Sequence, residues 1–144
     1  MEFSYRRYPA FHPLTKERGF IFRPIIPVDV GYQNRWISSI SEGEVAFIDA
    51  LVDSGADHNF APLEIAELLD IDFGAARPHR IVSIMGERTD TLFAPVSLNI
   101  GGRIFDALMG FGKEVESVVL GNVGFFDQWK AKLDYPKDIE TQMK

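Results

Sequence analysis

The segment Ala50-Leu51-Val52-Asp53-Ser54-Gly55-Ala56-Asp57 places a carboxylate, a hydroxyl and a glycine in consecutive positions directly after an apolar run. Residues 45–52 are strand-forming and apolar apart from Asp49, so Asp53 falls at a strand end, where Leu51 and Val52 keep water scarce. Gly55 lets the backbone bend and lets another chain approach closely. Ser54 can lock the turn through a hydrogen bond to backbone. Asp and Ser before Gly also commonly cap their own turn, so the triplet has a purely structural reading beside a catalytic one.

Two such carboxylates side by side cannot both ionise at close range. They share a proton and provide an acid and a base that together activate water. The chain holds one Asp-Ser-Gly, so the second copy must come from another subunit, and a closed two-fold dimer is the simplest supplier.

With 144 residues the chain fits one domain, and a domain of that size buries about 70% of its unfolded surface. A content of 46% hydrophobic and 25% charged residues is that of an ordinary globular protein. A net charge of -6 argues against a general nucleic-acid binder. The absence of cysteine excludes disulfides, thiolate nucleophiles and cysteine-ligated zinc. Without an apolar run of membrane-spanning length or a signal-peptide core, no membrane partner is expected and the cytoplasm is the default location.

Residues 1–22 show neither strand nor helix period and read as an N-terminal arm, with residues 23–144 forming the domain. Residues 24–30 suit a strand that Pro24 and Pro27 confine to a sheet edge, and Gly31 ends it. Residues 32–44 read as a long loop. Residues 62–69 read as a short helix that begins at Pro62 and turns Leu63, Ala66 and Leu69 to the core. Residues 80–93 read as a hairpin whose tip carries Ile84, Met85 and Gly86. Apolar residues at a tip make sense if it folds over a substrate or over the matching tip of a partner. Residues 96–100 alternate, and Gly101-Gly102 supplies a two-residue turn into residues 103–109. Val118-Val119-Leu120-Gly121 is a short apolar strand, residues 132–136 a strand, and the remainder a polar tail, while a second helix over 123–129 is implied only by the family resemblance that these elements carry.

This ordered set resembles the retropepsin family of aspartic proteases, and more narrowly its single-domain cellular members: hydrophobic-hydrophobic-Asp-Ser-Gly-Ala-Asp, a flap-like hairpin, then Val118-Val119-Leu120-Gly121. The resemblance spans residues 24–136. It implies an all-β, retropepsin-like closed barrel or sandwich with one or two short helices and an active site at a two-fold dimer interface. It implies an aspartic endopeptidase, a homodimer acting on a peptide or protein substrate. Asp53 is then catalytic, Ser54, Gly55 and Ala56 form the active-site loop, and Asp57, Ile84, Met85 and Gly86 bind substrate. Asn122 follows Gly121 where many retroviral enzymes carry Arg. The alternative is a dimerisation or peptide-binding module of the same fold without proteolysis. Asp57 could equally cap the following helix.

No cofactor is implied. Asp53, Asp57 and His58 are close in sequence, yet no two histidines stand at helical ligand spacing, so no metal is expected. Ser54 lacks the Gly-x-Ser-x-Gly elbow of a serine hydrolase, because Val52 replaces the first glycine.

Overall fold

The computed structural model describes residues 1–38, 48–74, 79–82, 88–135 and 138–143. In chain order the elements are β1 (Glu2–Ser4), β2 (Arg6–Phe11), β3 (Arg18–Arg23), β4 (Ile25–Pro27), β5 (Asp29–Tyr32), β6 (Arg35–Ile37), β7 (Asp49–Val52), β8 (Asn59–Pro62), α1 (Leu63–Leu68), β9 (His79–Val82), β10 (Arg88–Ile100), β11 (Arg103–Gly112), β12 (Val118–Leu120), β13 (Trp129–Leu133) and β14 (Asp138–Met143). Among the described residues the chain is all-β with one short helix. Its main sheet runs β4-β7-β12-β8-β11-β10-β5-β6, with β9 paired to β10 off this path, and it curls into a half-barrel. A second sheet, β1-β14-β13, joins the two ends of the chain, and β2-β3 form a separate hairpin. No helix among the described residues is long and apolar enough to cross a membrane.

Alternation builds the core. Val96, Leu98 and Ile100 of β10 are buried, as are Phe105, Ala107 and Met109 of β11, while Ile104 and Leu108 point outward. The two strands pair from Ile100↔Arg103 to Thr91↔Gly112. Between them Gly101 and Gly102 adopt φ of 58° and 89°, the left-handed pair that a two-residue hairpin turn requires. Ala50 and Val52 of β7, Leu120 of β12, Phe125 and Trp129 complete the interior. β4, which holds Pro27, is an edge strand of the main sheet, but the single edge strand expected over 24–30 is two strands, since Asp29 and Val30 belong to β5, which lies between β10 and β6.

Several local expectations are corrected. Gly31 lies inside β5, and the chain turns instead at Gln33 and Asn34, at φ of 44° and 67°, returning as β6 with Gly31 opposite Trp36. Glycine at 31 makes room for the Trp36 ring, since a Cβ there would come within 2.7 Å of it. The loop read over 32–44 is therefore a hairpin as far as Ile37, and its residues 39–44 lie outside the described ones. Residues 123–129 are a run of turns, because Gly124 sits at φ 107°, and Phe126 and Asp127 donate to carbonyls five residues back, on Gly121 and Asn122. The polar tail contains β14, which pairs with both β13 and β1. Its Asp-Ile-Glu-Thr-Gln-Met sequence carries the two-residue period of a strand. The aperiodic first 22 residues contain β1, β2 and most of β3.

The single helix follows its sequence signals closely. Pro62 precedes its first turn, Ile65, Ala66 and Leu69 are buried, and Leu63 packs partly on the core. Its end is a Schellman motif. Asp70 N–H donates to Glu67 O at 3.1 Å and Ile71 N–H to Ala66 O at 3.0 Å, with Asp70 at φ 55°. Asp tolerates that left-handed conformation at a cost that glycine avoids. Asp70→Gly, at an exposed position, is expected to raise unfolding stability by about 0.5–1 kcal/mol, read as a higher urea midpoint at unchanged slope.

Candidate active site

The central feature is a threading of strands. β7 and β8 are successive in this part of the chain, yet β12, from some sixty residues later, lies between them. It runs parallel to β7, with Val118↔Ala50, Val119↔Leu51 and Leu120↔Val52 paired, and antiparallel to β8 through Val119↔Phe60. The link from β7 to β8, residues 53–58, must therefore pass around the end of β12. Asp53 is the first residue of that link.

Hydrogen bonds from both directions fix its shape. Asp53 N–H donates to Leu120 O at 3.0 Å, and Ala56 N–H to Asp53 O at 3.1 Å. From the far side, Asn122 N–H donates to Ala56 O at 2.9 Å and Val123 N–H to Asp57 O at 2.8 Å. The Asn122 amide adds a bond from Nδ2 to Ser54 O at 3.1 Å. The residue that stands in place of the familiar Arg thus ties down the loop within its own chain.

Two further residues hold this joint from inside. Gly121 N–H donates to the side-chain Oδ1 of Asn59 at 2.9 Å, and Asn59 is fully buried. A Cβ on Gly121 would collide with the carbonyl oxygens of His58 and Ala56, and one on Gly124 would press on the Asn59 amide. Asn59 did not stand out in the sequence, and Asn122 did so only as the residue in place of an expected Arg. For Asn59 the available signal was an amide in the strand pattern Asn-Phe-Ala-Pro, where a buried polar group needs a partner.

The Asp53 side chain is half-buried. Its Oδ1 accepts the Gly55 N–H at 2.8 Å, so it caps its own turn, and its other oxygen has no hydrogen-bond partner among the described residues. Gly55 is not left-handed. Its bare Cα leaves space over the carboxylate, since a Cβ would come to 3.1 Å from Asp53 Oδ1. Ser54, Gly55 and Asp57 are exposed and Ala56 half-buried. Asp57 does not cap α1, whose N-cap position is Pro62.

Strand alternation places Asp49 and Leu51 on one face of β7, with Ala50 and Val52 buried on the other. That first face borders a cavity of about 270 Å³, with Ile25, Ile48, Leu51 and Val118 among its walls. At the end of the link, just before β8, His58 Nδ1 is buried without a partner among the described residues. Its ring lies edge-on to Phe60 and Phe93 at 6.3 and 5.4 Å. Among the described residues, no three His, Asp or Glu side chains come together as metal ligands would. The flap-like hairpin is present in its arms, β9 pairing with the start of β10 from Arg88↔Val82 to Thr91↔His79. Its tip, with Ile84, Met85 and Gly86, lies outside the described residues.

The Gly121 joint is testable by stability. Gly121→Ala is expected to cost at least about 2 kcal/mol by overpacking against backbone. Gly102→Ala, where a Cβ meets nothing within 4 Å, should cost only about 1–2 kcal/mol of backbone strain. Urea denaturation of the two variants compares them directly.

No family model and no curated protein matches this sequence. Among solved structures, the chain is similar to a retropepsin-like aspartic protease from Rickettsia conorii, with 18% identity over 98% of this chain and 93% of that one and a TM-score of 0.58. The EIAV protease complexed with the inhibitor HBY-793 aligns at 19% identity over 78% of this chain and 88% of that one, with a TM-score of 0.47, too low to support any conclusion. With β12 threaded between β7 and β8, and with that first likeness over nearly its whole length, the chain has a retropepsin-like fold.

Proposed function

We propose that this protein is an aspartic endopeptidase that works as a homodimer. The observation that carries the reading is the Asp53 carboxylate. It stands half-exposed at the end of β7, on a loop bonded from both sides, with one oxygen used by the turn and the other without a partner among the described residues. Such rigidity is what a reacting group needs, because holding reactants in place removes entropy from the barrier.

One Asp53 from each subunit would face the other across the two-fold axis. The pair holds one proton between them, and its titration belongs to the pair rather than to either residue. The ionised partner takes a proton from a water as that water attacks the peptide carbonyl, and the protonated partner donates to the carbonyl oxygen. Proton return to the amide nitrogen then releases the two peptides, with no covalent intermediate. The backbone around Gly55, the Asp57 position and the flap tip, with Ile84, Met85 and Gly86, hold the substrate as an added strand. No cofactor takes part.

The Asp53 turn bond to Gly55 favours one second reading, a peptide-binding module in which the carboxylate only shapes the loop. A peptide library assayed at several pH values separates the two. Asp53→Asn should reduce cleavage at least about a thousandfold, while cleavage that survives the substitution would sink the role of Asp53. No cleavage by either protein would favour the binding module.

Dimerisation gives an independent prediction. With freely exchanging subunits, an equal mixture of wild type and Asp53→Asn should retain about a quarter of the wild-type activity, since only pairs of two intact subunits hold the dyad. Sedimentation should show a dimer at assay concentrations; a strict monomer would contradict the proposal.

A further inference from the structure

The N-terminal hairpin has two unlike faces. In the β2–β3 register Arg7 is opposite Phe22, Pro9 opposite Phe20 and Phe11 opposite Arg18, so these residues share one face of the ribbon, and Arg6, Tyr8 and Arg23 lie on the other. The second face meets the body, since Arg6 pairs with Asp49 of β7. The first carries Phe20, 59% exposed with the Arg7 guanidinium 4.7 Å from its ring centroid, and Phe11, 62% exposed. Beyond them the apex presents Leu14 at 86% exposure.

The exposure of Leu14 does not come from a loose turn. His12 N–H donates to Glu17 O and Lys16 N–H to His12 O, both at 2.9 Å. The Leu14 and Thr15 N–H groups share His12 Nδ1 at 3.2 Å, and Glu17 N–H donates to Thr15 Oγ1 at 3.3 Å. Because Pro13 has no N–H, every backbone donor from His12 to Glu17 is bonded within the turn. A tip that leaves water for lipid must supply its own N–H partners in this way. Charge is segregated in the same sense. Residues 6–23 carry five cations against Glu17 alone, a net +4, while the whole chain is at -6, which leaves -10 on the remainder.

We propose that this ribbon is a peripheral membrane contact for an anionic lipid bilayer. Leu14, Phe11 and Phe20 enter the headgroup region, Arg7, Lys16 and Arg18 pair with lipid phosphates, and the acidic body faces water. A ribbon that lies on a surface needs no spanning segment, so the lack of an apolar run of that length has no bearing on it. The aliphatic apex, with the Phe20 ring covered by Arg7, favours lipid over a nucleic acid, whose bases stack on open rings. The contact does not depend on the protease reading.

The test uses the full chain and sedimentation with vesicles of phosphatidylcholine, alone or with about 30% phosphatidylserine. Wild type and Asp53→Asn should both bind the anionic vesicles at least about tenfold more tightly than the neutral ones, and less tightly as salt is raised. Leu14→Ser should weaken that binding about tenfold, and Lys16→Gln with Arg18→Gln about thirtyfold. In Leu14→Trp, anionic vesicles should shift the tryptophan emission to the blue relative to wild type, which reports entry of the apex directly. Equal binding to both vesicles, binding to neither, or an unshifted Leu14→Trp emission would overturn the proposal, as would capture of a single-stranded oligonucleotide in preference to vesicles. Since Asp53→Asn should keep the contact, its failure leaves the protease reading intact.

Discussion

The structure depends on a topological constraint: a strand from late in the chain must insert between two strands made some sixty residues earlier. Once β12 lies between β7 and β8, the backbone leaving β7 has only one short path, around the end of β12 past Gly121. The Leu120 carbonyl then meets the Asp53 N–H, and Ala56 and Asp57 carbonyls meet Asn122 and Val123 N–H groups. The Asp53 loop is thus part of the hydrogen bonding that closes the sheet. A loop held this way cannot move without opening β12, which gives the Asp53 carboxylate a fixed position.

Glycine and asparagine at this joint have complementary physical roles. Gly121 is demanded by contact, since the space where a side chain would stand is occupied by two backbone carbonyls. Asn59 satisfies the buried Gly121 N–H, which β pairing does not reach. Its own Nδ2 has no partner among the described residues, a cost that an apolar residue would avoid. An amide is retained there because the acceptor oxygen is needed, and removing it would leave a buried backbone donor unpaired.

What the sequence made legible was local. The turn at Asp53, the β10–β11 hairpin and α1 each rest on a period or a turn residue within about ten positions, and each appears where those signals put it. The threading was not legible, because Asn59 and Gly121 are 62 residues apart and Ser54 and Asn122 are 68, and no local pattern encodes such pairing. Glycine misled in two directions. Gly31 reads as a breaker but serves as a seat for Trp36, whereas Gly124 sits where the family resemblance implies a helix and takes a φ that no helix contains. In β14 the strand period was present, but charge and position at the chain end masked it. The cavity bordered by Leu51 was equally hidden, since its walls come from seven separate elements and the segments between them.

The hairpin raises the question of what keeps it in place, because a two-stranded ribbon alone is marginally stable in water. Two anchors are available. The Arg6–Asp49 pair has side chains 43% and 24% exposed, so solvent screening keeps its contribution under about 1 kcal/mol. At the root of the ribbon, Tyr5 and Phe22 meet the Tyr135 ring edge-on at 5.7 and 5.6 Å. Aromatic pairs of that geometry contribute about 0.5–1.5 kcal/mol each beyond the area they bury. Burial also lifts the Tyr5 phenol above its ordinary value, with Asp134 and Tyr135 adding to the shift, so that ring stays neutral in its apolar setting. The aromatic root therefore outweighs the ion pair in holding the hairpin, and the ion pair sets its angle over β7. Tyr135 follows β13, whose partner β14 also binds β1. The sheet that joins the chain ends thus fixes the base of the ribbon whose inner face meets β7 at Asp49.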